Sequence, residues 1–188
     1  MQLRNILLFC LVTLGPEIVE CQEFIPDTLV NNIKLSDYVS TEKVLGVNAW
    51  KKEFESNNLF PRIEVVNQNK TQVLRLFFHY GGNKNSVDEF ELEIIDKNYK
   101  LPKQVIVMNI DSFKTSRNIT LQTTKSNVIK ILGNKYKVLS KNEDYEQLYY
   151  KIDKPSDFLK RFNQYKYYIT CTFKENYLIK YSFGFEYP

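Results

Sequence analysis

The sequence predicts an α+β fold of two similar units, each an antiparallel sheet with one or two short helices on one face. Three observations lead there. Short runs rich in β-branched and aromatic residues alternate with polar ones at the two-residue period of strands. Helical spacing is confined to short stretches. The pattern of the first half also returns in the second. Asn32-Ile33-Lys34-Leu35 is followed by Ser36, Asp37 and Ser40, then by Val44-Leu45-Gly46. Asn118-Ile119-Thr120-Leu121 is followed by Thr123, Thr124 and Ser126, then by Ile131-Leu132-Gly133. A one-residue gap reconciles the two, which implies a duplication with a period of about 86 residues; chance similarity of short apolar patterns is the alternative.

The amino terminus reads as an export signal. Arg4 precedes an apolar run from Ile6 to Leu14, ended by Gly15 and Pro16, and that run is too short for a membrane span, which needs about 20 residues. Val19 and Cys21 suit the minus-three and minus-one positions, so cleavage is expected after Cys21. Phe9 and Glu20 precede the two cysteines there, and neither suits a lipidated cysteine. The expected organisation is a signal over 1–21, a first unit over 22–110 and a second over 111–188, with no transmembrane segment. Only Cys171 remains after cleavage, so no internal disulfide can form and stability must come from a core.

In the first unit a short helix is expected from Ser40 to Leu45, ended by Gly46. Strands follow at Ile63–Val66, at Val73–Tyr80 and at Glu89–Ile94, where Glu89-Phe90-Glu91-Leu92-Glu93-Ile94 alternates cleanly. Asn67 to Lys70 and Gly81-Gly82-Asn83 are turns. A further strand is expected over Val105–Ile110. In the second unit Thr124 or Ser126 can cap a helix carrying Val128, Ile129 and Leu132, with Gly133 supplying the left-handed turn at its end. Leu148–Ile152 is a strand, and Lys141 to Asp144 an exposed turn. Pro155-Ser156-Asp157 opens an amphipathic segment with Phe158, Leu159 and Phe162 on one face. Tyr167–Phe173 and Tyr177–Phe185 form a final hairpin around Lys174-Glu175-Asn176.

A short helix ending in Leu-Gly, a polar connector and antiparallel strands resembles the repeat unit of the β-lactamase inhibitor protein fold, shared by small outer-membrane assembly lipoproteins. The residues that carry the resemblance are Ser126 to Gly133 with Tyr145 to Tyr150, and more weakly Ser40 to Gly46. The proline that often follows the family's Leu-Gly is replaced by Asn134 and Val47, and the lipidated cysteine is missing. The resemblance implies two sheet-and-helix units and, as an alternative role, envelope assembly.

Composition narrows the chemistry. The formal charge is +4, carried mainly by lysines spread along the chain without the basic, aromatic-interleaved patch of a nucleic-acid groove, so no nucleic-acid partner is expected. His79 is the only histidine, which prevents two-histidine metal sites within one chain. It could pair with Cys171 as base and nucleophile, but a structural histidine and a buried thiol are the plainer readings. No phosphate loop, nucleophile elbow or EF-hand is present. No cofactor is expected. Glu89, Glu91 and Glu93, with Asp88 before them, could serve acid–base catalysis, or protect a solvated edge strand. Asn69 and Asn118 head glycosylation sequons, which matter only in a eukaryotic source.

The tyrosines of the second half outnumber the core positions of a strand pair, and exposed tyrosine is an interface residue. Alternation puts Tyr168, Thr170 and Thr172 on one face of their strand and Tyr167, Ile169, Cys171 and Phe173 on the other. The Cys171 face is expected to pack on Val128, Ile129 and Leu132. Tyr168, Lys180, Tyr149 and Tyr150 are the candidate binding surface. The sequence therefore points to a periplasmic or secreted, non-catalytic binding or inhibitor-like protein, whose partner is another protein or an envelope component. A structural envelope protein and a carboxylate-dependent enzyme are the rivals.

Overall fold

Residues 24–46, 61–78, 86–102 and 105–186 are described by the structure, a computed structural model. The elements in chain order are β1 (Leu29–Val30), β2 (Ile33–Lys34), α1 (Tyr38–Leu45), β3 (Arg62–Val66), β4 (Gln72–Phe77), β5 (Glu89–Ile94), β6 (Ile106–Val107), α2 (Lys125–Leu132), β7 (Lys137–Lys141), β8 (Tyr145–Ile152), α3 (Asp157–Phe162), β9 (Tyr167–Lys174) and β10 (Tyr177–Phe185). β1 and β2 form a small hairpin. The other eight strands form one sheet in the order β6-β3-β4-β5-β10-β9-β8-β7. Every neighbour is antiparallel except β6, which lies parallel to β3. The chain is mostly sheet, with short helices, and belongs to the α+β class.

Alternation sorts the sheet into two faces. Ile63, Leu74, Leu92, Tyr181, Cys171 and Leu148 stand on one face and belong to one continuous core. Val128 and Leu132 of α2 and Leu159 of α3 are buried in that core, and Val44 and Leu45 of α1 pack against it. The three helices thus cover the same face, because each is too short to be stable without an apolar surface to lie on.

Most expected strands are present at or near their expected bounds, and the differences have physical causes. β6 is only two residues long. β7 was not legible, since all five of its residues are exposed; a strand paired on one side and covered on neither carries no burial pattern. The β9–β10 turn has Glu175 and Asn176 at φ 49° and 66°, the two positive values that match a hairpin's twist. Residues 1–21, His79, Gly81-Gly82-Asn83 and Tyr187 lie outside the described residues. Among the described residues no helix is long and apolar enough to cross a membrane.

The helix ends are local chemistry. α1 begins at Tyr38, earlier than expected, because the Asp37 carboxylate accepts from the Val39 and Ser40 amides at 3.0 and 3.2 Å. Thr124 occupies the N-cap of α2, but its side chain makes no cap bond and faces the Ser126 hydroxyl at 3.3 Å instead. Both helices stop at glycine: Gly46 and Gly133 have φ 89° and 90°, and their amides donate to the Glu42 and Ile129 carbonyls at 2.8 and 2.7 Å. Asn32 and Asn118, before the two Ile-Xaa-Leu segments, are left-handed, as are Ser36 and Gln122 after them. The Ser36 amide donates to the Val87 carbonyl, and the Gln122 amide to the Leu178 carbonyl, each at 2.8 Å.

The sheet runs without a break across residues 110 and 111, because β5 pairs with β10 over five residue pairs from Glu93↔Lys180 to Glu89↔Gly184. Gly184 is needed there: a Cβ would sit 2.4 Å from the Asp88 carbonyl oxygen. Chain segments also cross between halves. Phe24 stacks on Tyr150 at 5.5 Å between ring centres, and Val30 bridges Thr115. The Asp27 carboxylate accepts from the Tyr181 and Ser116 hydroxyls at 2.5 and 2.7 Å and from the Arg117 amide at 2.7 Å. The Tyr167 hydroxyl donates to the Asp27 carbonyl at 2.7 Å. Burial pushes the Asp27 carboxyl up, against the opposing pull of these donors.

Candidate functional site

The second face of the sheet carries the polar rows, and among the described residues none of the three helices packs on it. The pairing registers place Glu64, Arg75, Glu91, Ser182, Thr170 and Tyr149 in one row across six strands. A neighbouring row runs through Glu93, Lys180, Thr172 and Gln147. The face changes character along these rows: it is charged over β3, β4 and β5, and hydroxyl-rich and aromatic over β8 and β9.

Arg75 organises the charged half. Its Nε donates to Glu64 at 3.3 Å, and one terminal nitrogen donates to Glu91 at 2.6 Å and also to Glu93. Burial opposes the guanidinium's charge, but the bonds to Glu93, Tyr99 and Glu91 outweigh it and raise the pKa above its ordinary value. Glu91 also accepts from Lys180 at 2.9 Å and from the Ser182 hydroxyl at 3.4 Å. Glu64 takes the Tyr99 hydroxyl at 2.7 Å and lies 3.4 Å from Arg62. The Arg75 guanidinium carbon lies 5.3 Å from the centre of the Tyr99 ring, which adds a cation–π contact. Beside this cluster is a cavity of about 440 Å³, walled by Arg62, Arg75 and Lys180 from the sheet and by Tyr99, Lys100 and Pro102 from the loop after β5.

This corrects one expectation and supplies a missed residue. Glu89, Glu91 and Glu93 do not protect an edge: β5 lies between β4 and β10, and the Glu91 side chain is only 15% exposed. Asp88 is buried. Arg75 was not singled out, though a lone arginine inside the apolar run Val73-Leu74-Arg75-Leu76-Phe77 is a signal in itself, since a buried guanidinium needs carboxylates beside it.

Three of the four candidate surface residues lie on the polar face. Tyr149 and Tyr168 stack diagonally, 6.3 Å between ring centres at 20°, and Lys180 stands on β10 across from Thr172. Tyr168 hydrogen-bonds Glu89, whose carboxyl is pushed up by burial. Tyr150 does not join them. Being next to Tyr149 in a strand it points the other way, into the core, where it is 1% exposed and its hydroxyl donates to the Gly133 carbonyl at 3.0 Å. Cys171 is also buried in the core, and burial holds its thiol well above the ordinary value. Among the described residues no group of three or more His, Cys, Asp or Glu is arranged to hold a metal ion. Compared with known proteins, the chain matches no family model, and neither a curated protein nor a solved structure matches it significantly.

Proposed function

We propose that this chain is an exported, non-catalytic binding protein whose recognition surface is the face of the eight-stranded sheet on which none of the described helices packs. The observation that carries the reading is the aromatic and hydroxyl half of that face. Tyr149, Tyr168, Thr170, Thr172 and Lys180 remain partly exposed there, fixed in position by strand pairing on both sides. Tyrosines held rigidly on a sheet bury large area at small entropic cost, and their hydroxyls find partners at a wet rim. The partner class is another protein or an envelope component. A photo-crosslinking side chain placed at position 149 in the native host is expected to trap a discrete partner that the same group at position 165 does not; Tyr165 is 88% exposed and lies outside the sheet. Identical adduct patterns from the two positions would remove the reading.

The chain is further read as a duplicated unit. Support comes from the left-handed residues, which recur on both sides of the two Ile-Xaa-Leu segments, and from the glycine stops of α1 and α2. The registers add to it: β3, β4 and β5 map onto β8, β9 and β10 without a gap inside a strand. Under that mapping Glu91 and Ser182 are equivalent, and they pair with each other, as a two-fold relation between the halves requires. An experimental structure whose halves did not superpose in that order would remove it, and with it the resemblance to the β-lactamase inhibitor fold. Export with cleavage after Cys21 is part of the same proposal. Mass spectrometry is expected to find Gln22 at the amino terminus without lipid, and an intact Met1 would overturn it.

A further inference from the structure

The cavity beside Arg75 has a charge balance that the ion-pair cluster does not consume. The three carboxylates near it are engaged from within. Glu64 meets Arg75, Arg62 and the Tyr99 hydroxyl; Glu91 meets Arg75, Lys180 and Ser182; Glu93 meets Arg75. The donors are in excess. Four cationic residues line the cavity against three carboxylates, a formal balance of +1. Lys100 is exposed and pairs with no carboxylate among the described residues. Arg62 meets Glu64 but keeps a side chain 55% exposed, and Lys180 meets Glu91 with a side chain 35% exposed. These three come from β3, the loop after β5 and β10, so a ligand in the cavity would meet cations on separate walls.

We propose that this cavity binds a small multivalent oxyanion, an organic acid or phosphate compound with two or more anionic groups. A volume of about 440 Å³ is far more than a monoatomic ion fills and lies within the size range of small-molecule pockets. A cationic ligand would face the excess of positive charge and find its potential carboxylate partners occupied. Arg75 is a positioning residue: by holding the carboxylates on the sheet it leaves the Lys100 ammonium to the ligand, while Lys180 meets the ligand beside its contact with Glu91. Tyr99, clamped between Glu64 and the Arg75 guanidinium, fixes the loop that carries Lys100. The site lies on the charged half of the polar face, apart from the Tyr149–Tyr168 pair, and does not depend on that pair engaging a partner.

The test is isothermal titration of the full chain with citrate, with pyrophosphate and with spermidine, at constant ionic strength. Citrate or pyrophosphate is expected to give a saturable one-site isotherm, and spermidine none. Lys100→Gln and Lys180→Gln are each expected to weaken the anion tenfold or more while the far-ultraviolet circular dichroism stays that of the parent. Tyr149→Ala is expected to leave the isotherm unchanged, which separates this site from the Tyr149–Tyr168 pair, Lys180 standing at the border of both. Absence of saturable binding by both anions overturns the proposal. Parental affinity in both lysine variants overturns it as well.

Discussion

Asp27 buries a carboxylate in the core and holds it by hydrogen bonds from Tyr181, Ser116 and Arg117 rather than by a salt bridge. Burial raises its folded pKa above the ordinary 3.8, so between those two values the native state binds more protons than the unfolded chain. Stability therefore falls as pH rises through that window, and the loss is complete above the folded value. Asp27→Asn keeps one acceptor oxygen, for the Ser116 hydroxyl and the Arg117 amide, turns an N–H donor toward the Tyr181 oxygen, and has no proton to lose. Denaturant unfolding of both proteins from about pH 4 to about pH 8 is expected to show the parent losing stability relative to the variant. A difference that stays flat with pH would mean that the carboxyl does not titrate as its burial dictates.

At the scale of elements, α1 and α2, each eight residues long, begin by different means. α1 has a side-chain cap, with Asp37 accepting from two amides. α2 has none at Thr124, and its first amide, that of Lys125, instead donates to the Asn176 carbonyl of the β9–β10 turn at 2.8 Å. Asp37→Ala is expected to cost about 0.5–2 kcal/mol, while Thr124→Ala stays within about 0.5 kcal/mol. Thermal melts of the two variants check this, and equal losses would show that Thr124 caps in solution. The edge strand β7 shows a second device. Lys137 and Lys141 bound it, and its register with β8 shifts between Val138 and Ser140; charge and irregularity together discourage pairing with another chain.

The whole molecule hinges on the β5–β10 seam, where Phe90 and Phe183 meet at 5.1 Å and Gly184 admits the Asp88 backbone. A methyl at Gly184 would meet that carbonyl oxygen and the Glu89 Cα at 2.6 Å, and backbone cannot step aside as a side-chain tip can. Gly184→Ala is expected to cost about 1–3 kcal/mol by overpacking. One core serves both halves, so the loss should be felt in both. Hydrogen exchange read by mass spectrometry is expected to show amide protection falling together in β4 and β9. Loss confined to β3, β4 and β5 would mean the halves unfold separately, in spite of the shared sheet.

Alternation along each chain segment determined most strands, the two glycine-stopped helices and the split of β9 into a Tyr168 face and a Cys171 face, because burial period and left-handed turn residues are local properties. Local pattern also misled. It treated Tyr149 and Tyr150 as one surface, although the same alternation, applied to β8, separates them. It made Glu89, Glu91 and Glu93 an edge, because nothing within Glu89–Ile94 tells which strands lie on either side. The neighbours of β5 are set by pairing with β4, in the same half, and with β10, some 90 residues further along. Arg75 becomes the hub of three carboxylates only once β3 and β5 flank β4, and Asp27 becomes a core group only once the amino-terminal segment crosses to Tyr167 and Tyr181. Charge and hydrogen-bond partners act over a few ångströms in space, so their meaning was decided by the tertiary structure and not by their order in the chain.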